Sequence, residues 1–220
     1  MNLYRRLLPP GSLCFDVGAN VGEKSEALLE AGARVVAFEP NPLVLPELRA
    51  RCGYHANWAV LPTALGSECT IAALHVPESH VNSTLVDGRE AAARSFSVPV
   101  LTLEMAIRRF GRPDFCKIDV EGWELEVFKG LAQSIPLICF EFQLNEWGIA
   151  KTISCLERLA EFGPGHANVT PAETSSFHFD EWIPLKQFLA WFPGDLKQTL
   201  PGDHYGDIFV ANGEQRPAWT

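Results

Sequence analysis

The sequence predicts an α/β fold, one doubly wound sheet with helices packed on its faces, and three observations carry that prediction. An apolar run, Leu13-Cys14-Phe15, meets the turn Asp16-Val17-Gly18-Ala19-Asn20-Val21-Gly22, and good helix formers follow over 23–31. A second apolar run, Arg34 to Phe38, ends in Glu39, about twenty residues after the turn, the place where doubly wound nucleotide folds put an acid. Strand-like and helix-like segments then keep alternating, and the runs at 115–118 and 136–142 also end beside carboxylates.

The elements follow in order. Residues 1–12 read as a lead-in, with Pro9-Pro10-Gly11 turning into strand one. Gly18 has no Cβ, so the backbone can turn tightly and approach a ligand, and Gly22 lets the first helical turn lie against the sheet. Gly32 closes that helix as a C-cap. Pro42 and Pro46 open a helix through 47–50, where a missing N–H costs nothing, and Cys52-Gly53 end it. Strand three is 58–61, which places 63–66 at its carboxyl end beside an adenine position, and 69–76 suggests an extra strand. Periodicity fades from 77 to 97, with a polar loop at 78–84 and a short helix over 88–94; a loop of that length is functional or disordered. Residues 97–101 form a strand, and Thr102 caps a helix to about Phe110, broken by Gly111 and Pro113. After strand 115–118, a helix over 124–130 shows Leu125, Phe128 and Leu131 on one face. Strand 136–142, a helix around 149–162 and a Pro-, Thr- and Ser-rich stretch come next. The chain closes with an amphipathic helix over 185–192 and a strand at 205–211. The domain is expected to span 13–211, with a tail at 212–220.

Composition narrows the function. At 220 residues the chain can bury a core as one domain, and 47% apolar with 20% charged residues is ordinary for a globular protein. A formal charge of −9 and the absence of a Lys/Arg-rich run argue against nucleic acid as a partner. No stretch suggests a signal peptide or a membrane span. The six cysteines include no C-x-x-C pair, and Cys14, Cys116 and Cys139 fall in predicted buried strands. They read as buried thiols in a reducing cytoplasm, not as disulfides or zinc ligands.

Asp16, Gly18, Asn20 and Gly22 mark a ligand-binding turn, and Glu39 is placed to accept hydrogen bonds from ribose hydroxyls. A nicotinamide or flavin dinucleotide is disfavoured: its G-x-G-x-x-G fingerprint needs a glycine where Asn20 stands, and no other copy occurs. The turn D-x-G-x-N-x-G instead resembles the first motif of class I methyltransferases that use S-adenosylmethionine (SAM). SAM has no phosphate, and its ammonium suits an acidic strand end. Asp119 and Glu121 lie at the carboxyl end of a central strand, where α/β sheets bind ligands. An alcohol is a poor nucleophile until its proton leaves, so Asp119 is the first choice for a general base or acceptor-orienting group and Glu121 the second. No metal site is assigned. A divalent ion on these two acids, lowering the hydroxyl pKa, is the alternative, and helix capping with a Lys117 ion pair explains the same residues. Glu141 ends its strand on the same side and is read as an acceptor contact or a plain surface acid. His80 is a lid candidate or a solvated loop residue, while His75, His178 and His204 read as structural.

Taken together, these segments resemble the FkbM-type SAM-dependent methyltransferases. The likeness rests on K-I-D-V-E-G-W-E-L-E-V-F-K-G-L from Lys117 to Leu131, on F-D-V-G-A-N-V-G, on F-E-P-N-P at 38–42, on A-L-G at 64–66 and on Y-G-D-I at 205–208. It implies a Rossmann-like class I fold with a mixed seven-stranded sheet whose last strand is antiparallel. It also implies methyl transfer from SAM to a hydroxyl of a small molecule, sugar or secondary metabolite. Asn41 and Ala64 join the SAM contacts by their places in the motifs, as does Asp119. The acceptor pocket is expected from 77–97, from 143–180 or from a partner subunit of a homo-oligomer. Methylation of nitrogen or of a macromolecule is the second enzyme reading, weakened by the absence of an Asp/Asn-Pro-Pro-aromatic motif. A non-catalytic SAM-binding domain is the third.

Overall fold

The computed structural model describes residues 3–78, 83–86, 93–171, 174, 176–192, 194 and 205–213. The chain begins with a short helix, α1 (Tyr4–Leu7), then runs β1 (Leu13–Val17), α2 (Glu23–Glu30), β2 (Arg34–Phe38), α3 (Leu45–Cys52) and β3 (Trp58–Leu61). Three strands follow, β4 (Ala64–Gly66), β5 (Thr70–Val76) and β6 (Arg94–Thr102), and then α4 (Leu103–Phe110), β7 (Phe115–Ile118), α5 (Glu124–Lys129) and β8 (Leu137–Gln143). The last third holds α6 (Glu146–Ala160), β9 (Gly165–Pro171), β10 (Ile183–Pro184), α7 (Leu185–Trp191) and β11 (Tyr205–Asn212).

The main sheet has the order β10-β9-β11-β8-β7-β1-β2-β3. Strand β1 is parallel to β2 on one side and to β7 on the other, so the chain order reverses beside it. At such a switch point the helices leave on opposite faces and a crevice opens at the carboxyl ends of the strands. The final strand β11 runs antiparallel between β8 and β9, as expected.

The sheet has eight strands where seven were expected. The extra one is the two-residue edge strand β10, antiparallel to β9. The Pro-, Thr- and Ser-rich stretch contains β9, a buried strand whose polar residues hide its character. Asn168 Nδ2 donates to the Phe179 carbonyl at 3.0 Å, and its Oδ1 accepts the Phe179 N–H at 3.2 Å. A polar side chain satisfied this way can sit in a core, which an apolar pattern does not signal. Residues 64–66 do not simply extend the third strand either: β4 pairs with β6 in a separate three-stranded sheet, β4-β6-β5.

The core alternates across the main sheet with the period of two that strands impose. Phe15, Phe38, Phe128 and Phe140 pack on one face with α4, α5, α6 and α7. Cys14, Val35, Ala37, Leu28 and Leu48 pack on the other, joined by Tyr4 and Leu7 of α1. On α5 the deepest apolar residues are Val127 and Phe128, and Leu125 is only partly buried. Among the described residues, two helices are capped by side chains: the Thr102 hydroxyl accepts the Met105 N–H at 3.2 Å, and Asn145 Oδ1 accepts the Gly148 N–H at 2.8 Å. The second cap starts α6 three residues earlier than its periodicity suggests. Strand β6 begins at Arg94, and most of the helix expected over 88–94 lies outside the described residues. All six cysteines are free, with Cys14, Cys116 and Cys139 buried in β1, β7 and β8. Among the described residues, no helix is long and apolar enough to cross a membrane.

Candidate active site

A cavity of about 550 Å³ opens at the carboxyl ends of β1, β2 and β7. Its walls include Gly18, Asn20, Glu39, Asn41, Ala64, Asp119 and Glu121 among the residues expected from the sequence. Asp16 and Gly22, also expected there, do not line it. Asp16 is buried under the turn, where its Oδ2 accepts the Ser25 hydroxyl at 2.6 Å and ties the first turn of α2 to β1. Gly22 faces α3 instead of the sheet: at φ +91°, a Cβ there would lie 2.7 Å from Leu48 Cδ1.

The glycine turn is held against the end of β2. The N–H groups of Gly18 and Ala19 both donate to the Phe38 carbonyl, at 2.9 and 3.2 Å. Gly18 also faces β7 so closely that a Cβ would lie 1.8 Å from the Asp119 carbonyl oxygen. The two motifs, a hundred residues apart, therefore meet backbone to backbone.

Glu39 is buried in the cavity wall, and its two oxygens have separate duties. Oε2 accepts the Asn20 N–H and Oε1 the Asn41 N–H, each at 2.7 Å. Asn20 takes a left-handed φ of +48°, and the bond to Glu39 holds it there. Each carboxylate oxygen keeps a lone pair for a further donor. Asn41 extends the frame: its Oδ1 accepts the Leu43 N–H at 2.9 Å and its Nδ2 donates to Ser83 Oγ at 3.0 Å. Ser83 and Leu85 cover one side of the cavity, and the Thr84 hydroxyl donates to the Glu121 carbonyl at 2.8 Å. The segment 83–86 thus spans the crevice from the end of β2 to the turn after β7.

Acidic groups gather on the β7 side. Asp119, Glu121 and Glu141 each offer a carboxylate oxygen, all within 4.8 Å of one another, a spacing that fits a bound cation. Beside them the buried ammonium of Lys117 meets Asp207 at 2.6 Å and Asp119 at 3.4 Å. Burial opposes its charge, but Asp119 and Asp207 outweigh burial and push its pKa well up. Sequence reasoning missed Asp207 as the partner, although it stands in the Y-G-D-I segment; it also missed Lys24, Trp123 and Tyr205 in the cavity wall. His75 is bridged through its backbone to Thr84, and the backbone N–H of His178 donates to the Val169 carbonyl at 2.8 Å. His80 and His204 lie outside the described residues.

Burial raises three of these carboxylates. Asp16 rises to about 6, against the opposing Ser25 hydrogen bond, and Glu39 to about 7, against the two backbone N–H groups. Glu141 rises to about 8 through burial and the charges of Asp119 and Glu121. Because these groups bind protons more tightly folded than unfolded, the native state carries the extra protons and loses stability as pH rises through the window between the two pKa values. The ligand-free protein is therefore expected to melt at a lower temperature at pH 8 than at pH 5.5, and Glu39→Gln should flatten that slope. A melting temperature that rises over the same interval would contradict the buried, proton-binding state of these acids.

The family model described as the methyltransferase FkbM domain matches residues 16–184, well over half of the chain. The chain belongs to the FkbM methyltransferase family. Among curated relatives, the hexuronic acid methyltransferase AglP of Haloferax volcanii is 27% identical over 130 residues, covering 57% of this chain and 52% of that protein. The chain therefore matches about half the length of that relative. Two solved structures are also similar. The precorrin-6y C5,15-methyltransferase of Geobacter metallireducens has a TM-score of 0.46 at 12% identity, covering 96% of this chain and 86% of that one. The precorrin 8w decarboxylase of Methanobacterium thermoautotrophicum has a TM-score of 0.49 at 11% identity, covering 93% of this chain and 83% of that one.

Proposed function

We propose that the chain transfers a methyl group from SAM to a hydroxyl oxygen of a small molecule, sugar or secondary metabolite, and that it works in the reducing cytoplasm. The observation that carries this reading is the shared cavity, with the doubly anchored Glu39 at one end and Asp119 with Glu121 at the other. The lining fits the donor. Glu23, Glu39, Asp119 and Glu121 stand against a single cation, Lys24, among the lining residues, which favours a sulfonium and an ammonium and repels a pyrophosphate. The relative named for hexuronic acid supports a sugar acceptor.

In this reading Glu39 accepts hydrogen bonds from ribose hydroxyls, and Gly18, Asn20, Asn41 and Ala64 form the cofactor wall. Asp16 and Gly22 act from behind, by fixing the turn to α2 and α3. When bound, SAM supplies a methyl carbon activated by its sulfonium, so that the carbon–sulfur bond breaks as the oxygen–carbon bond forms and a neutral thioether leaves. What remains for the protein is alignment and removal of the hydroxyl proton. Asp119 takes that proton or orients the hydroxyl, with its carboxylate steadied by Lys117. Glu121 orients the acceptor from the same turn.

Calorimetric titration with SAM and its demethylated product, with NADH as control, tests the donor: SAM binding without an NADH response supports it, and no binding to either SAM form removes it. Transfer from methyl-labelled SAM to a panel of hexosides, hexuronic acids and polyols tests the acceptor class, and labelling confined to amines would overturn oxygen as the target. Asp119→Asn is expected to cut turnover about 100-fold or more with SAM affinity within about threefold of normal. Full activity in that variant would remove Asp119 from the chemistry. The spacing of Asp119, Glu121 and Glu141 carries a second reading, a divalent cation at the acceptor end. Turnover abolished by chelator and restored by magnesium would favour it; turnover untouched by chelator favours the direct carboxylate role.

A further inference from the structure

Glu124 opens α5 just after the turn that carries Asp119 and Glu121, and it is fully buried without lining the cavity. Its Oε1 accepts two backbone N–H groups of that turn, from Val120 at 3.3 Å and from Gly122 at 3.1 Å. Its Oε2 lies 2.8 Å from Nζ of Lys151 on α6, close enough for an ion pair but not aligned as a hydrogen bond. The same ammonium sits 5.0 Å from the centre of the Trp147 ring. An acid with no water around it is costly unless it is paired and hydrogen-bonded, and here both conditions are met by partners on two different elements.

The turn needs such support. Glu121 has a φ of +53° and Gly122 a φ of +102°, so two consecutive residues sit in the left-handed region, one of them a residue with a Cβ. A strained turn persists only where its surroundings over-determine it. The Thr84 hydroxyl grips the turn from the outside through the Glu121 carbonyl, and Glu124 grips it from the inside through Val120 and Gly122. Between the two grips the side chains of Asp119, Val120 and Glu121 reach the cavity wall.

We propose that Glu124, backed by Lys151, is a positioning residue that sets the 119–122 turn and so presents Asp119, Val120 and Glu121 to the cavity. The inference rests on the reading of that cavity as the SAM site. It differs from a plain core ion pair in one respect, that the essential feature is an oxygen facing two turn N–H groups and not the charge itself. An ion pair that only stabilised the packing of α5 on α6 would leave ligand affinity untouched once the protein is folded.

Two variants separate these roles. Glu124→Gln and Glu124→Ala both remove the ion pair, and both are expected to melt lower than the unmodified protein. Only the glutamine keeps an oxygen for Val120 and Gly122. Calorimetric titration with SAM is therefore expected to show affinity reduced about tenfold in Glu124→Ala and held within about threefold in Glu124→Gln. Equal affinities in both variants, whether normal or equally weakened, would overturn the positioning role. Should Glu124→Ala fail to fold, amide hydrogen exchange of the unmodified, ligand-free protein decides: slow exchange at Val120 and Gly122 is expected, and exchange as fast as a free loop would overturn the proposal. An unmodified protein that binds no SAM fails the cofactor reading instead, and the exchange measurement still judges the turn on its own.

Discussion

Replacing Glu39 with alanine is expected to lower SAM affinity by about two orders of magnitude, the loss of charge-assisted hydrogen bonds worth about 1.5–3 kcal/mol each. The effect is large because Glu39 acts twice. It is an acceptor facing the cavity, and it is the clamp that holds the N–H of Asn20 on the glycine turn and the N–H of Asn41 after β2. Alanine would release Asn20 from its left-handed conformation and leave two N–H groups without their acceptor. Glu39→Gln keeps the shape and one acceptor oxygen, so its loss should be smaller, about tenfold. Calorimetric titration of the three proteins provides the check. Equal affinity in all of them would remove Glu39 from the cofactor site.

The second large effect is expected from the smallest change, Gly18→Ala. The added methyl would lie 1.8 Å from the Asp119 carbonyl oxygen, and that neighbour is backbone, which cannot swing aside. The residue would also be held at a φ of +81°. Overpacking and left-handed strain together should cost about 3–5 kcal/mol, a fall of roughly 10 °C in melting temperature for a chain of this size. Because relief requires β1 and β7 to part at their carboxyl ends, SAM binding should be lost even well below the melting temperature. Gly111→Ala serves as a control: it shares a positive φ of +97°, but a Cβ there meets only Leu13 Cδ2 at 3.6 Å. If both variants melted alike and Gly18→Ala still bound SAM, close approach of the two strands would not be what the glycine provides.

Much of the frame was legible because it follows from local physics. The run into Gly18, the helix formers after Gly22 and the strand ending at Glu39 are separate local signals whose spacing is that of a βαβ unit, and the structure has each of them in place. Thr102 and Gly111 marked the ends of α4 for the same reason: caps depend on the few residues beside them. Where local signals were weak the reading slipped. Strand β9 was hidden because His166, Asn168 and Thr170 are polar yet buried, and the partner of Asn168, Phe179, lies on a segment that no pattern connects to it. The two-residue β10 is too short to carry a period of its own.

The cavity shows the same division. Sequence alone determined the residue types at the ends of β1, β2 and β7, hence an acidic, glycine-bearing crevice of the FkbM type, since each of those features belongs to one short stretch. The tertiary structure decided which of those residues share a wall. It turned Asp16 inward to Ser25 and Gly22 toward α3, and it set Glu141 beside Asp119 and Glu121. It also joined Lys117 to Asp207, ninety residues away, and Glu124 to Lys151 on the next helix. Spacing along the chain fixes which strand end a residue occupies, but the direction of its side chain depends on packing and pairing with residues that only the folded sheet brings near.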